Sequence, residues 1–410
     1  MTAGADAALF ASLSRVFTKD PTQRIAVAVS GGGDSMALLD LAHRAAGPAR
    51  VIAVTVDHGL RPESAAEAEG VAAFCARRLI SHQTLRWNGP KPTGNLMAQA
   101  GAARLSLMAS WAQGQGIADV LLGHTADDQA ETFLMALARA SGVDGLAGLR
   151  PRFVAHGVTF HRPLLEITRA DLRAYLTGQG IAWVDDPSNE NDRFTRARAR
   201  KVLTALGPLG ITAETLACTV RNIATARETL QAGLIAFVRS DLREVAGALQ
   251  VDGQALDGLP DDLCRRLLIA ALRWIAGAAH PPRERQLDQL RARLRGRKEA
   301  TLGGVRFLWR DNLLTIVREM RSVQGAVDRT ALWDGRWSLE GPSGPGILQA
   351  LGPEGLRLCP DFPRNFPRAA LVASPSLWRD GRLIAAPLAE FGADFTVKLS
   401  QGFTEFILSH

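Results

Sequence analysis

From Ile25 to about Val184 the chain alternates short runs of β-branched and aliphatic residues with longer amphipathic stretches. The runs Ile25–Val29, Val51–Val56, Thr84–Trp87, Val120–Leu122 and Ile181–Val184 predict strands. The stretches Asp34–Ala46, Glu63–Leu79, Leu96–Gln113, Ala126–Ala140 and Arg169–Gln179 repeat apolar residues at helical spacing and predict helices. Strands separated by helices predict a doubly wound α/β domain with a mainly parallel sheet. The pattern changes at Gly207-Pro208-Leu209-Gly210. Residues 213–278 keep helical periodicity and contain no convincing strand, and 280–320 add an arginine-rich helix and a hairpin around Gly303-Gly304. Beyond a Gly/Pro-rich passage at 341–353, Trp378 and the run Leu383–Pro387, with Trp333 and Trp337 before it, predict a small, mostly β module. The expected organisation is a catalytic domain over 1–207, a mainly helical domain over 213–320 and a small module over 330–410. No internal repeat is visible.

Composition adds bounds. At 410 residues, 47% hydrophobic and 22% charged, the chain has room for two or three cored domains. The first residues lack the basic start of a secretory signal, and no apolar stretch reaches the roughly 20 residues that span a bilayer. Cysteines 75, 218, 264 and 359 are scattered with no C-x-x-C pair, which argues against a zinc ribbon or dithiol site and for reduced thiols in the cytoplasm. A net charge of +7 fits a polyanionic partner.

The chemistry concentrates where the predicted strands end. Ser30-Gly31-Gly32-Gly33-Asp34-Ser35 lies between the first strand and the first helix. Glycines let backbone N–H groups approach an anion, and the helix N-terminus adds a favourable dipole, so this is a phosphate cradle. No Gly-Lys-Ser/Thr follows, which excludes the lysine-bearing P-loop, and the second half of a dinucleotide fingerprint is missing. The loop carries its own carboxylate, Asp34, well placed to hold a magnesium ion on phosphates. Asp57-His58-Gly59-Leu60-Arg61 follows the second strand, and Gly123-His124-Thr125-Ala126-Asp127-Asp128-Gln129-Ala130-Glu131-Thr132 follows the fourth. In a parallel sheet these clusters share the carboxyl-end rim where ligands bind. At helical spacing Glu131 shares a face with Asp127 or Asp128.

The S-G-G-x-D-S, V-D-H-G-L-R-x-E-S and G-H-x-x-D-D-Q-x-E-T blocks, in this order, resemble the tRNA(Ile)-lysidine synthetase family of PP-loop ATP pyrophosphatases. Arg162-Pro163-Leu164-Leu165 and Asp186-Pro187-Ser188-Asn189 extend the resemblance, which is strong over 22–206, weaker over 213–320, and rests at the end on Trp378 and Leu383–Pro387. It implies that ATP, with Mg2+, adenylates the wobble cytidine of a CAU-anticodon isoleucine tRNA, and that the amine of free lysine then displaces AMP. Ser30 to Ser35 with Asp57 and His58 would bind ATP. Asp34, Asp127, Asp128 and Glu131 would do the catalytic work, without settling which carboxylate binds lysine and which binds metal. Arg104 matches the second arginine of the family's Q-A-R-x-x-R-Y segment and would hold a phosphate or the adenylate, whereas Gly101 and Leu105 depart from that segment. Arg193, Arg196 and Arg200 form a same-face row suited to phosphates of ATP or of the anticodon stem, with Ala197 where the family has asparagine. Arg283, Arg291 and Arg295 form the second basic stretch, expected on the tRNA body. The rivals are a tRNA thiolase, which usually needs paired cysteines, and a non-catalytic RNA-binding protein, which gains nothing from carboxylates facing RNA.

Overall fold

A computed structural model describes residues 9–13, 16–17, 22–57, 59, 64–87, 96–185, 195–278 and 280–409. The chain separates into two compact units, 1–227 and 228–410, with the boundary inside the helix Ala213–Asp241.

The first unit is built on a six-stranded sheet. Its strands are β1 (Ile25–Ala28), β2 (Val51–Asp57), β3 (Ser81–Arg86), β4 (Asp119–Leu121), β5 (Arg152–Ala155) and β6 (Val158–His161), in the order β3-β2-β1-β4-β6-β5. All pairs are parallel except the edge pair β5–β6. The unit also contains helices α1 (Gly33–Ala46), α2 (Ser64–Arg77), α3 (Leu96–Gly114), α4 (Ala126–Leu137), α5 (Arg169–Gly178) and α6 (Thr195–Leu206). β1 shows why both faces need cover. Ile25 and Val27 pack with Leu38, Val71 and Leu172 on one side, and Ala26 packs with Met108, Ala112 and Phe160 on the other. A strand apolar on both faces belongs in the middle of a doubly wound sheet.

Two sequence expectations change here. Ile181–Val184 is not a strand. The edge beside β4 is taken by β6, and Val184 instead donates its N–H to the Gly31 carbonyl at 3.0 Å, as an irregular strap on the glycine loop. The β5–β6 hairpin escapes the pattern because its turn is His156-Gly157, with φ of 49° and 74°, and not an obvious Asn-Gly.

The second unit contains a five-stranded antiparallel sheet, β7 (Leu242–Val245), β8 (Ala248–Asp252), β9 (Ala300–Leu302), β10 (Val305–Arg310) and β11 (Leu313–Arg318), in the order β7-β8-β11-β10-β9. The Gly303-Gly304 hairpin is present as β9–β10. The β7–β8 hairpin interrupts the stretch expected to be purely helical, its two-residue turn Ala246-Gly247 again at positive φ. Helices α8 (Asp261–Ala276) and α9 (Glu284–Arg295) contribute Leu268, Leu272, Leu287 and Leu290 to the same core as Leu249, Phe307 and Ile316, α7 being Ala213–Asp241. The remaining strands form a four-stranded antiparallel sheet from 327–328, 347–350, 375–379 and 382–385, and a pair from 337–340 and 396–399. Among the described residues no single helix is long and apolar enough to cross a membrane.

Candidate active site

The glycine loop is held from several sides. Ser35 Oγ accepts the Ser30 N–H at 3.1 Å and donates to the Gly32 carbonyl at 2.9 Å, closing the turn on itself. Gly31 sits at φ +85°, where a side chain is strained. A Cβ on Gly33 would meet Trp183 at 3.4 Å, and one on Gly123, at the end of β4, would meet the Asp34 carbonyl carbon and Ser35 Cα at 3.2 Å. The loop backbone is therefore packed against glycine on one side and an indole on the other, with its N–H groups at the head of α1.

Asp34 opens α1, and its Oδ2 accepts Arg169 Nε at 3.1 Å. Burial drives its pKa upward, against the pull of Arg169. Asp127, Asp128 and Glu131 follow on α4. Thr125 caps that helix with a reciprocal box: its N–H and hydroxyl donate to Asp128 Oδ2 at 2.9 and 3.1 Å, and the Asp128 N–H returns to the hydroxyl. Asp128 thus spends one oxygen on the cap and turns Oδ1 toward Arg196 at 3.5 Å. Although burial opposes its charge, His124, Arg169, the Thr125 amide and Arg196 bring its pKa below the ordinary value. Asp127 Oδ2 accepts the backbone N–H of Arg169 at 2.7 Å. Glu131 is 0% exposed, with Oε1 on Arg200 Nε at 2.5 Å and Oε2 lacking a hydrogen-bond partner among the described residues. Burial raises its pKa.

Basic groups surround this cluster. Arg104 on α3 has its Nε buried and without a hydrogen-bond partner among the described residues, and burial together with nearby Arg196 lowers its pKa. Arg162, after β6, stacks its guanidinium 4.3 Å over the Phe153 ring and donates to His124 Nδ1 at 3.2 Å. An arginine only donates, so His124 accepts at Nδ1 and carries its proton on Nε2. Burial pushes the His124 pKa down to about 4. Arg196 and Arg200, read from sequence as a phosphate-binding row, lie on Asp128 and Glu131. Arg193 and His58 lie outside the described residues. Asp57 Oδ1 accepts from the Gly59 N–H at 2.9 Å and Ser64 Oγ at 2.7 Å, closing its own turn.

Arg169 is a residue of this cluster that the sequence pattern passes over. A signal is nonetheless present: Thr168-Arg169-Ala170-Asp171 is a second capping box, and it puts a cation in the first turn of α5, where the helix dipole disfavours one. The carboxylates of α1 and α4 supply the compensation.

In the second unit, Arg283 and Arg285 are exposed at the start of α9, whereas Arg291 and Arg295 both contact Asp261 and Arg265 pairs with Glu284. Arg291 keeps only 16% of its side chain exposed.

A parallel sheet with a glycine cradle after β1, a carboxylate at its mouth and acidic residues after β4 defines a PP-loop nucleotide-binding domain, and the PP-loop domain model matches residues 6–206. The chain is 44% identical over 402 residues, 96% of each chain, to a tRNA(Ile)-lysidine synthase of Ruegeria pomeroyi. It is 36% identical over 406 residues to that of Mesorhizobium japonicum, covering 92% of this chain and 87% of the relative. Over 403 residues it is 34% identical to that of Brucella anthropi, covering 90% and 86%. The chain belongs to the tRNA(Ile)-lysidine synthase family.

Proposed function

We propose that this chain converts the wobble cytidine of CAU-anticodon isoleucine tRNA to lysidine, using ATP and free lysine. Cytidine O2 attacks the α-phosphorus of ATP and pyrophosphate leaves. The side-chain amine of lysine then attacks C2, and the C2–O2 bond breaks to release AMP. The first step places developing charge on the leaving phosphates, which the N–H groups of the 30–35 loop and nearby arginines would stabilise. The second needs a neutral amine, so the incoming ammonium must lose a proton.

The observation that carries the assignment is Glu131 beside the glycine loop. A buried carboxylate oxygen with no partner is costly unless a ligand completes it, and an ammonium or amine N–H does so. Asp127 and Asp128 would help orient the lysine. Among the described residues no group of three or more His, Cys, Asp or Glu side chains could hold a metal. Asp34 is a single carboxylate with one oxygen on Arg169, which fits a magnesium ion held mainly by phosphates and water. When bound, that ion would neutralise charge on the leaving pyrophosphate. Arg104 would hold a phosphate of ATP or of the adenylate. Asp57, the last residue of β2, and His58 would contact the nucleotide. Arg193, just ahead of α6 in the chain, and the exposed Arg283 on the second unit would contact tRNA phosphates, whereas Arg291 and Arg295 are drawn to Asp261. Free lysine, ATP and tRNA are cytoplasmic solutes, which supports a cytoplasmic location.

The test is incubation with ATP, labelled lysine and CAU-anticodon isoleucine tRNA. Label is expected in the tRNA at position 34, with one AMP and one pyrophosphate released for each lysine. Pyrophosphate release without lysine transfer under saturating lysine would overturn the choice of nucleophile.

A further inference from the structure

Arg169 meets carboxylates from both α1 and α4. Its Nε donates to Asp34 Oδ2 at 3.1 Å, while Nη2 and Nη1 stand 3.8 Å from Asp128 Oδ1 and 3.7 Å from Glu131 Oε1. Its own backbone N–H fixes Asp127 at 2.7 Å. The last two side-chain distances exceed hydrogen bonding, and both acids have closer partners, Thr125 for Asp128 and Arg200 for Glu131. Arg169 is therefore tied to Asp34 and loosely shared with the other two. With 21% of the side chain exposed, it is within reach of a bound polyanion.

A shared counter-ion has a thermodynamic consequence. Any ligand that takes over one of its partners, or draws the guanidinium away, changes the potential at the others, and by linkage the two ligands alter each other's affinity. We propose that Arg169 is a positioning residue that couples nucleotide binding at Asp34 to lysine binding at Asp128 and Glu131. The proposal rests on the assignment of Asp34 to the nucleotide and of the α4 carboxylates to the amine. Before nucleotide arrives, the guanidinium partly neutralises Asp128 and Glu131, alongside Arg196 and Arg200. The phosphates attract the guanidinium, and a divalent cation replaces it at Asp34. Its retreat uncovers the α4 carboxylates for the ammonium of lysine. Nucleotide thus tightens lysine binding, and the amine is gathered after the reagent that makes its attack useful.

The measurement is the lysine dissociation constant, by calorimetry on the full chain, with and without magnesium and α,β-methylene ATP. For the native protein the nucleotide should tighten lysine by at least about fivefold, the lower end of usual coupling. In R169M the nucleotide-free protein should bind lysine more tightly than native, and the nucleotide effect should vanish. R169K should retain part of it, because a point charge cannot span three carboxylates as the planar fork does. A residue that served only the fold would lower both affinities and leave their ratio intact. The proposal fails if R169M keeps the full nucleotide effect or if the native protein shows none. D34N and E131Q check the assignment beneath it: D34N should weaken the nucleotide and E131Q should weaken lysine. If neither does, the assignment itself falls; if both do while R169M retains coupling, only the role of Arg169 falls. Should R169M not fold, R169K decides, since full native coupling in it would overturn the proposal.

Discussion

Tyr175 Oη donates to Asp40 Oδ2 at 2.7 Å, deep between α5 and α1. The pair is separated by 135 residues, the same interval as Arg169 and Asp34, so the two helices pair in one register along their contact. One rung faces the glycine loop and the other is sealed in the core, where Arg78 Nη1 reaches Asp40 Oδ1 at 2.9 Å and Arg44 Nη1 reaches the Tyr175 hydroxyl at 3.0 Å. The inner rung sets the register that delivers Arg169 to Asp34. Tyr175→Phe removes the hydroxyl from a buried network and should cost about 1–3 kcal/mol, the penalty for an unsatisfied buried acceptor. A lowered urea midpoint for the first unit checks this, and an unchanged midpoint would remove the rung from the account of stability.

Asp34→Ala acts on the outer rung. It removes the carboxylate at the mouth of the loop and leaves Arg169 to Asp128 and Glu131 alone. Pyrophosphate release should fall by at least about a hundredfold, as for loss of a key electrostatic group. Binding of tRNA, followed by filter retention, should survive. If binding disappeared together with chemistry, the variant would have failed to fold.

Gly123→Ala tests the packing beneath the loop. The added methyl would sit 3.2 Å from backbone atoms of Asp34 and Ser35, which cannot yield as a side-chain tip could. The strain should be on the order of 1–3 kcal/mol, as for overpacking. It should appear in the KM for ATP more than in the KM for lysine, because the loop moves and α4 does not.

Much of this site is legible in the sequence because each segment follows its own strand. The glycine loop after β1 and the acidic block after β4 need only a parallel sheet to meet. What stays hidden depends on contacts between elements distant in the chain. No local pattern says that Arg196 and Arg200 turn toward Asp128 and Glu131, because a same-face arginine row looks identical whether it meets RNA or acids. Arg169 carries a local signal in its capping box, but the acids that balance its charge lie on other helices. Ile181–Val184 has the composition of a strand, yet the sheet edge it would need is occupied by β6. The β7–β8 hairpin escapes the pattern because Ala246-Gly247 is an unremarkable dipeptide whose positive φ values are set by the pairing around it.

The arginines of the second unit separate into two groups with different expected behaviour. Arg283 and Arg285 are exposed, whereas Arg291 is largely covered and paired with Asp261 at 3.0 Å. Charge removal at Arg283 and Arg285 should flatten the log–log salt slope of tRNA binding by about 0.7–0.9 for each phosphate no longer neutralised. Arg291→Ala should instead lower thermal stability, since it strips packing from the face where α8 and α9 meet. A salt slope that responded only to Arg291 would reverse this division.

His124 gives the first unit an acid sensitivity with a definite sign. Its pKa is near 4 in the fold, chiefly through burial, against the 6.5 of an unstrained imidazole. Above 6.5 both folded and unfolded chains hold it neutral, so it contributes nothing. Between 6.5 and about 4 the unfolded chain takes up a proton that the fold refuses, and stability falls as pH falls. The full loss, reached below the folded pKa, is at most about 3 kcal/mol, at 1.36 kcal/mol per unit. Asp34 and Glu131, whose pKa values burial raises, act in the opposite direction by accepting protons more readily in the fold. Comparing native protein with His124→Gln isolates the imidazole from those carboxylates. The glutamine variant should show a shallower decline in unfolding midpoint between pH 6.5 and 4 and no difference in slope above pH 7. An equal decline in both proteins would mean that burial does not hold the ring neutral.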